Sequence, residues 1–436
     1  MNLHERVRML AEELQPELVA LRRDLHKYAE AGWTEMRTSS LVARHLTELG
    51  YQVLVGEQVC KRDARMGVPA EEVLEEHYQR AAAQGADPEF LPYTKGGMTG
   101  VIGILKRGEG PTVAMRFDID ALGVAEQTQA SHFPAQKGFA SANPGVMHAC
   151  GHDGHTAIGV GVAKILMELK EHLHGTVKLI FQPAEEGVRG GKAIVENGHL
   201  ENVDYFIGAH ITGKGPEEPA FITPGSHGSL ATSKYDVIYR GTSAHAGASP
   251  HLGSNAMLAA ASAVLNLHAI PRHGDGVTRI NVGTLRAGSG RNVIPDEAVM
   301  EIEVRGQTTA LNRYMCDCAE RIIRAAAAMY GCTCDIRLMG AADSLTSDLT
   351  LAERIQGVCR EKLRIECTDT LSVPSFGSED IAYMMNRVQE QGGEATFMRA
   401  LTPISGPVHS RCFDFDEKIL HKSVAVFCGT VVDILS

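Results

Sequence analysis

Apolar residues at the start of the chain recur at helical spacing. Leu3, Val7, Leu10, Leu14, Leu18, Leu21 and Leu25 fall along one side, which predicts an amphipathic helix over 3–29. A second helix is predicted over about 38–49, opening at Thr38-Ser39-Ser40 and stopping at Gly50. Residues 56–97 are charged and carry little apolar periodicity, so they read as a partly helical inserted segment. Short β-type runs follow: VIGIL at 101–105, TVAMRFDI at 112–119, TVKLIF at 176–181 and YFIGAHI at 205–211. A helical run at 155–170 and another near 190–197 lie among them. Strands separated by helices predict a βαβ arrangement with a largely parallel sheet.

After Pro224 the pattern changes. SKYDVIYRG (233–241) has strand character and NAMLAAASAVLNLHAI (255–270) is helical. TRINVGTLRAG and VMEIEVRG are strand-like, followed by a helix at 309–330 and the strand TCDIRLMG. Two helices and four strands in so short a stretch suit a small α+β module. Beyond about 342 the helix–strand alternation resumes, and it ends in a helix at 415–434. The expected fold class is therefore α/β. A large domain on a mostly parallel sheet comes in two parts, 1–224 and 342–436, with an α+β module inserted at 225–341.

Composition narrows the function. At 436 residues the chain exceeds one ordinary core, in line with two domains. A net charge of −11 speaks against a nucleic-acid surface. No apolar stretch approaches the ~20 residues of a membrane span. The opening MNLHERVRMLAEEL is charged and has no apolar signal core, so a cytoplasmic protein is expected. The ten cysteines form no compact framework and read as reduced thiols. Cys316 and Cys318 lie two apart in a helical run and diverge around its axis, so packing is the better reading than zinc. No G-x-S-x-G elbow or strand-borne G-x-G-x-x-G occurs, and Gly190-Gly191-Lys192 lacks the phosphate-loop spacing.

The candidate chemistry is elsewhere. MHACGHDGHTA (147–157) gathers one thiol and three imidazoles around two glycines. Cys150 and His152, two apart, point to one side of an extended backbone and suit a first-row divalent metal. His148 and His155 are further ligands or groups that orient ligands. In LIFQPAEEG (179–187) a strand runs into the adjacent carboxylates Glu185 and Glu186. Burying both needs a cation, and one can bind metal while its neighbour moves a proton. A solvated Glu pair at a helix start is the plain alternative. His210 in GAHI and His409 in GPVHSRCFDFDE add imidazoles. Asp118 and Asp120 in RFDIDAL are acceptors able to orient them. Together these supply sulfur, nitrogen and oxygen donors at successive strand ends, as a hydrolytic metal centre requires.

MHACGHDGH, FQPAEEG, GTSAHAG, GSGRNVIP and GSED, in this order, resemble the M20 metallopeptidase family, and within it the amidohydrolase branch that includes hydrolases of auxin–amino acid conjugates. The resemblance implies two divalent ions, manganese or zinc. Cys150 would bridge them, and His152, Glu186, His210 and His409 would be ligands. It makes Glu185 the general base. It places His245 of SAHAG in a partner subunit's site, where it stabilises the oxyanion, and puts Asn292 and Arg305 on the substrate carboxylate. It implies a lid and dimerisation role for the inserted module, in a homodimer or a heterodimer with a related subunit. The implied reaction is hydrolysis of an acyl or aroyl amide of an amino acid, p-aminobenzoyl-glutamate foremost. The sequence departs from the family in carrying Asp118 where a ligand His is usual. From residues alone, His245 reads as a turn cap rather than a functional group, Asn292 as a turn residue and Arg305 as a strand residue paired with a nearby Glu.

Overall fold

The computed structural model describes residues 2–214, 221–375 and 377–436. The chain divides into two compact units. The first comprises Met1–His227, Leu345–Pro374 and Asp380–Ser436; the second comprises Gly228–Ser344 and Ser375–Glu379.

The first unit is built on a seven-stranded sheet. Its spatial order is Gln52–Val55, Val101–Arg107, Gly175–Gln182, Thr112–Asp118, Tyr205–Lys214, Glu394–Pro403 and Phe221–Thr223. The four strands from Gly175–Gln182 to Glu394–Pro403 run parallel, as the alternation of helix and strand predicts. The flanking strands are antiparallel. Side chains alternate between two apolar layers. Val113, Met115 and Phe117 enter one, and Ala114 enters the other with Ile180, Phe206 and Phe397. Both faces are therefore buried, which is why these strands read as near-continuous apolar runs.

Helices Leu3–Lys27, His152–Glu168 and Ile419–Leu435 contribute to the first layer, and Ile381–Glu390 contributes to the second. The His152–Glu168 helix comes close to the sheet at Gly159. A Cβ there would lie 2.6 Å from Phe181 and 2.8 Å from Phe117, so a larger residue would lift the helix.

Several boundaries differ from the pattern-based expectation, and two of them have a visible cause. The second helix, Met36–Leu49, begins before Thr38 because the Glu30 carboxylate caps it, accepting from Arg37 N and Thr38 N at 2.9 Å each. The last helix starts at Ile419, because Asp416 accepts from Lys418 N and holds a turn ahead of it. The 56–97 segment contains the helix Glu71–Ala83, whose Leu74 and Ala81 pack on Met36 and Leu91.

The second unit is a four-stranded antiparallel sheet in the order Thr333–Ala342, Ala231–Arg240, Glu297–Gly306, Thr278–Ala287, with the helices Ala256–His268 and Thr309–Met329. Met300, Ile302 and Val304 are buried while Glu301 is exposed, the period-two signature of a sheet covered on one face. All ten cysteines of the chain are free, and Cys316 and Cys318 are buried in the Thr309–Met329 helix.

Candidate metal centre

The parallel strands and the turns that follow them bring the donors together. Asp118 ends one strand. His210 lies level with it in the neighbouring strand, since Arg116 pairs with Gly208. Gln182 ends a third strand and leads into the turn carrying Glu185 and Glu186, where Ala184 has a φ of 50°. Gly151 takes a φ of 92°, a left-handed conformation suited to glycine, between Cys150 and the first helical residue His152. His409 also has positive φ, at 65°, and its N–H donates to the Ala149 carbonyl at 2.8 Å. A strained non-glycine residue held this way is a frequent companion of function.

The side chains converge. The potential ligand atoms of Cys150, His152 and His210 lie within 4.8 Å of one another, as do those of Cys150, Glu186 and His409, and those of His152, Glu185 and Glu186. Cys150 Sγ is 3.3 Å from His210 Nε2, and Glu186 Oε1 is 3.5 Å from His409 Nε2 and 4.0 Å from His152 Nε2.

Outer partners fix these groups. His152 Nδ1 donates to the Asp120 carbonyl at 2.9 Å, leaving Nε2 as the open nitrogen. His210 Nδ1 donates to the Ile211 carbonyl at 2.6 Å, with the same result. The Asp120 carboxylate accepts from Glu185 N at 3.1 Å and Glu186 N at 2.9 Å, and so shapes the carboxylate turn. His155 bonds Asp118 through Nδ1 and accepts from Ile211 N at 2.8 Å through Nε2; both nitrogens are engaged, and it orients rather than ligates. His148 is buried with no hydrogen-bond partner on either nitrogen, and burial lowers its pKa to about 3.

The electrostatics ask for a cation. Burial pushes the Cys150 thiol well above its ordinary pKa, and the Glu186 charge adds to this, so without a positive charge the sulfur stays protonated. Burial, opposed by His152 and reinforced by Asp120, raises Glu186 to about 7. His152 is raised well above its usual value: burial opposes its charge, but Asp118 and the hydrogen bond to Asp120 outweigh it. His152 Nε2 and Glu186 Oε1 are buried with no hydrogen-bond partner. Buried polar atoms are rarely left this way. A divalent ion satisfies both, and the mixture of thiolate, imidazole and carboxylate fits one.

Residues 114–433 match the model of peptidase family M20/M25/M40. The chain belongs to this family. It is 45% identical over 430 residues to the indole-3-acetyl-aspartic acid hydrolase of Enterobacter agglomerans, covering 97% of this chain and 96% of that protein. It is 43% identical to one of the subunits of the p-aminobenzoyl-glutamate hydrolase of Escherichia coli, covering 98% of each. The solved structure of an aminobenzoyl-glutamate utilization protein from Klebsiella pneumoniae superposes with a TM-score of 0.83 at 36% identity, covering 99% of this chain and 98% of that one. A dinuclear metal-binding M20 peptidase of Bacillus subtilis superposes with a TM-score of 0.65 at 25% identity, over 97% of this chain and 99% of its own. The chain is an M20 hydrolase with an α/β catalytic fold.

The three remaining sequence-predicted residues of this M20 chain lie in its second unit. His245 Nδ1 accepts from Gly247 N at 3.1 Å and Ala248 N at 3.0 Å, so it caps the turn and carries its proton on Nε2. Asn292 is exposed, and its carbonyl accepts from Ala246 N at 2.9 Å. Arg305 Nη2 pairs with Glu303 at 2.9 Å, the strand pairing that its neighbours in sequence allow.

Two supporting residues escape sequence reasoning. Glu35 accepts from Ala184 N and Thr99 Oγ1, each at 2.7 Å, and burial with the nearby Asp120 charge raises its pKa to about 8. Asp380 accepts from Gly190 N, Gly191 N and Gln182 Nε2. In the sequence Asp380 belongs to GSED and reads as a helix cap.

Proposed function

We propose that this chain is a metal-dependent amidohydrolase for amides of an acyl or aroyl group with an acidic amino acid, p-aminobenzoyl-glutamate first and indole-3-acetyl-aspartate second. The observation that carries this reading is the meeting of Cys150, His152, Glu186, His210 and His409 beside a second carboxylate, Glu185. Cys150, His152 and Glu186 each belong to more than one of the converging ligand sets, and with His210 and His409 they would hold two ions, Cys150 being the ligand we assign to both. We assign the pair as manganese or zinc; the soft donors favour zinc on affinity, and availability decides between them. When bound, the ions polarise the amide carbonyl and lower the pKa of water near neutral pH.

The chain's own residues do the rest. Glu185 takes the proton from water and returns it to the leaving nitrogen. His245, supplied by a partner chain, donates from Nε2 to charge that develops on the carbonyl oxygen. Asn292 and Arg305 hold the substrate carboxylate, and Arg305 exchanges Glu303 for it. The second unit serves as lid and dimerisation module. Its helix Ala256–His268 leaves Leu258 47% and Leu265 74% exposed, and Thr278–Ala287 is an edge strand; both support a contact with a homologous or identical subunit.

The test is hydrolysis by the metal-reconstituted chain, purified without a partner, against p-aminobenzoyl-glutamate, indole-3-acetyl-aspartate and N-acyl leucines. Release of the acidic amino acid is expected. No release from any of them makes the chain an accessory subunit instead. Cys150→Ala is expected to leave less than the full complement of metal, read by elemental analysis after dialysis. Retention of the wild-type amount removes Cys150 from the ligand set.

A further inference from the structure

The group beside the site that the mechanism leaves unused is a cation. Arg189 follows Glu186 on the same turn. Its Nε donates to the Glu186 carbonyl at 2.8 Å and its Nη1 to the Gly67 carbonyl at 3.1 Å. Its Nη2 lies against Gly32, where an added Cβ would come within 2.2 Å of it. Two of the guanidinium's donors are used; a guanidinium has about five. Among the described residues no carboxylate pairs with it. Arg189 is only partly buried, and Nη2 is not among the fully buried atoms without a partner. The other arginines buried near the ligands are neutralised: Arg116 by Asp118 and Asp380, Arg22 by Asp153 and Asp414.

Two backbone carbonyls fix a guanidinium without neutralising it. A neutral donor would tie the same carbonyls together with less desolvation. The charge is left over for an anion, and a pinned Arg offers a planar fork to a carboxylate with little further loss of freedom. An amide of glutamate or aspartate carries two carboxylates, one of which the proposed roles of Asn292 and Arg305 already use.

We propose that Arg189 is the specificity residue that holds the side-chain carboxylate of the substrate's amino-acid half. This inference rests on the amidohydrolase reading above. It also gives residues 63–69, DARMGVP within the 56–97 segment, a task. The Gly67 carbonyl aims the guanidinium, and the neighbouring Met66 carbonyl is anchored by Trp33 Nε1 at 2.7 Å.

The experiment compares p-aminobenzoyl-glutamate with its neutral isostere p-aminobenzoyl-glutamine on the full-length, metal-loaded enzyme. The wild type is expected to prefer the glutamate amide. Arg189→Gln is expected to lower kcat/KM for the glutamate amide by roughly 10- to 100-fold, the loss typical of one charge-assisted contact, and to leave the glutamine amide nearly unchanged. Arg189→Lys recovers part of the preference. A parallel loss on both substrates makes Arg189 a structural clamp and overturns the proposal. So does a wild type without preference, or a loss of preference in Arg411→Ala, an exposed cation near His409, in place of Arg189→Gln. If the wild type hydrolyses neither amide, nor indole-3-acetyl-aspartate, the amidohydrolase reading fails. Calorimetric binding of the two ligands to metal-loaded wild type and Arg189→Gln then decides this proposal by itself: equal affinities overturn it.

Discussion

Glu185→Gln is expected to lower kcat by roughly 10²- to 10⁴-fold with little change in KM, the range that a positioned general base supplies. Gln has the shape of Glu but does not take up a proton near neutral pH. The turn is retained, because Asp120 holds it through the backbone N–H groups of Glu185 and Glu186 rather than through their side chains. Metal content therefore stays at the wild-type level. Glu186→Gln gives the opposite pattern. Its Oε1 is the buried oxygen left without a hydrogen-bond partner, so removing the charge there weakens the hold on metal, and activity returns in part with excess ion. Steady-state kinetics with elemental analysis on both variants separates two adjacent carboxylates that look alike in the sequence. A Glu185→Gln enzyme as fast as wild type, or one stripped of metal, removes Glu185 from the role of base.

How much of this was legible beforehand depends on the range over which each feature acts. Cys150-Gly151-His152 and Ala184-Glu185-Glu186 are local. Their spacing on one turn brings donors together whatever surrounds them, so the sequence shows them. His210 and His409 are not local. Each is an ordinary histidine until the parallel register sets His210 level with Asp118 and the strained backbone at His409 bonds to Ala149. The motif order, not the residue type, is what marked them. Strand direction is also hidden: Val101–Arg107 reads like its neighbours yet pairs antiparallel, because an apolar run says that a strand is buried and nothing about which way it points. The supporting layer was the least visible. Glu35 reaches Ala184 across a separation of 149 residues. The 56–97 segment meets the turn that carries Glu185 and Glu186 through the carbonyl of Gly67, which accepts from Arg189; every residue type provides that atom, so composition carries no trace of it.

Arg22 is a fully buried charge that joins three segments of the first unit, and Arg22→Met is expected to destabilise it by about 3–5 kcal/mol. Arg22 is fully buried on the first helix and bonds Asp153 at 2.8 Å, Asp414 at 2.6 Å and Glu417 at 3.3 Å, with its guanidinium 4.4 Å from the Phe415 ring centre. Asp153 follows His152, and Asp414 lies five residues after His409, so one side chain ties the segments carrying both histidines to the helix. Met fills much of the volume, and the loss then reports two buried carboxylates left without their cation rather than a cavity. Lys supplies a point charge in place of a fork and restores only part of the loss. The sign of the pH dependence follows from Asp153. Burial pushes its pKa up, but the Arg22 charge and the hydrogen bond from His26 draw it well below the usual carboxylate range. A group depressed in this way stabilises the fold above its unfolded value, and the contribution is lost as pH falls towards the folded value. The gap between wild type and Arg22→Met is therefore widest at neutral pH and closes on acidification below about 4, the unfolded carboxylate value. Denaturant unfolding at a series of pH values measures it. A gap that stays constant from neutral to acid assigns the effect to packing, and no gap at all removes Arg22 from the scaffold of the site.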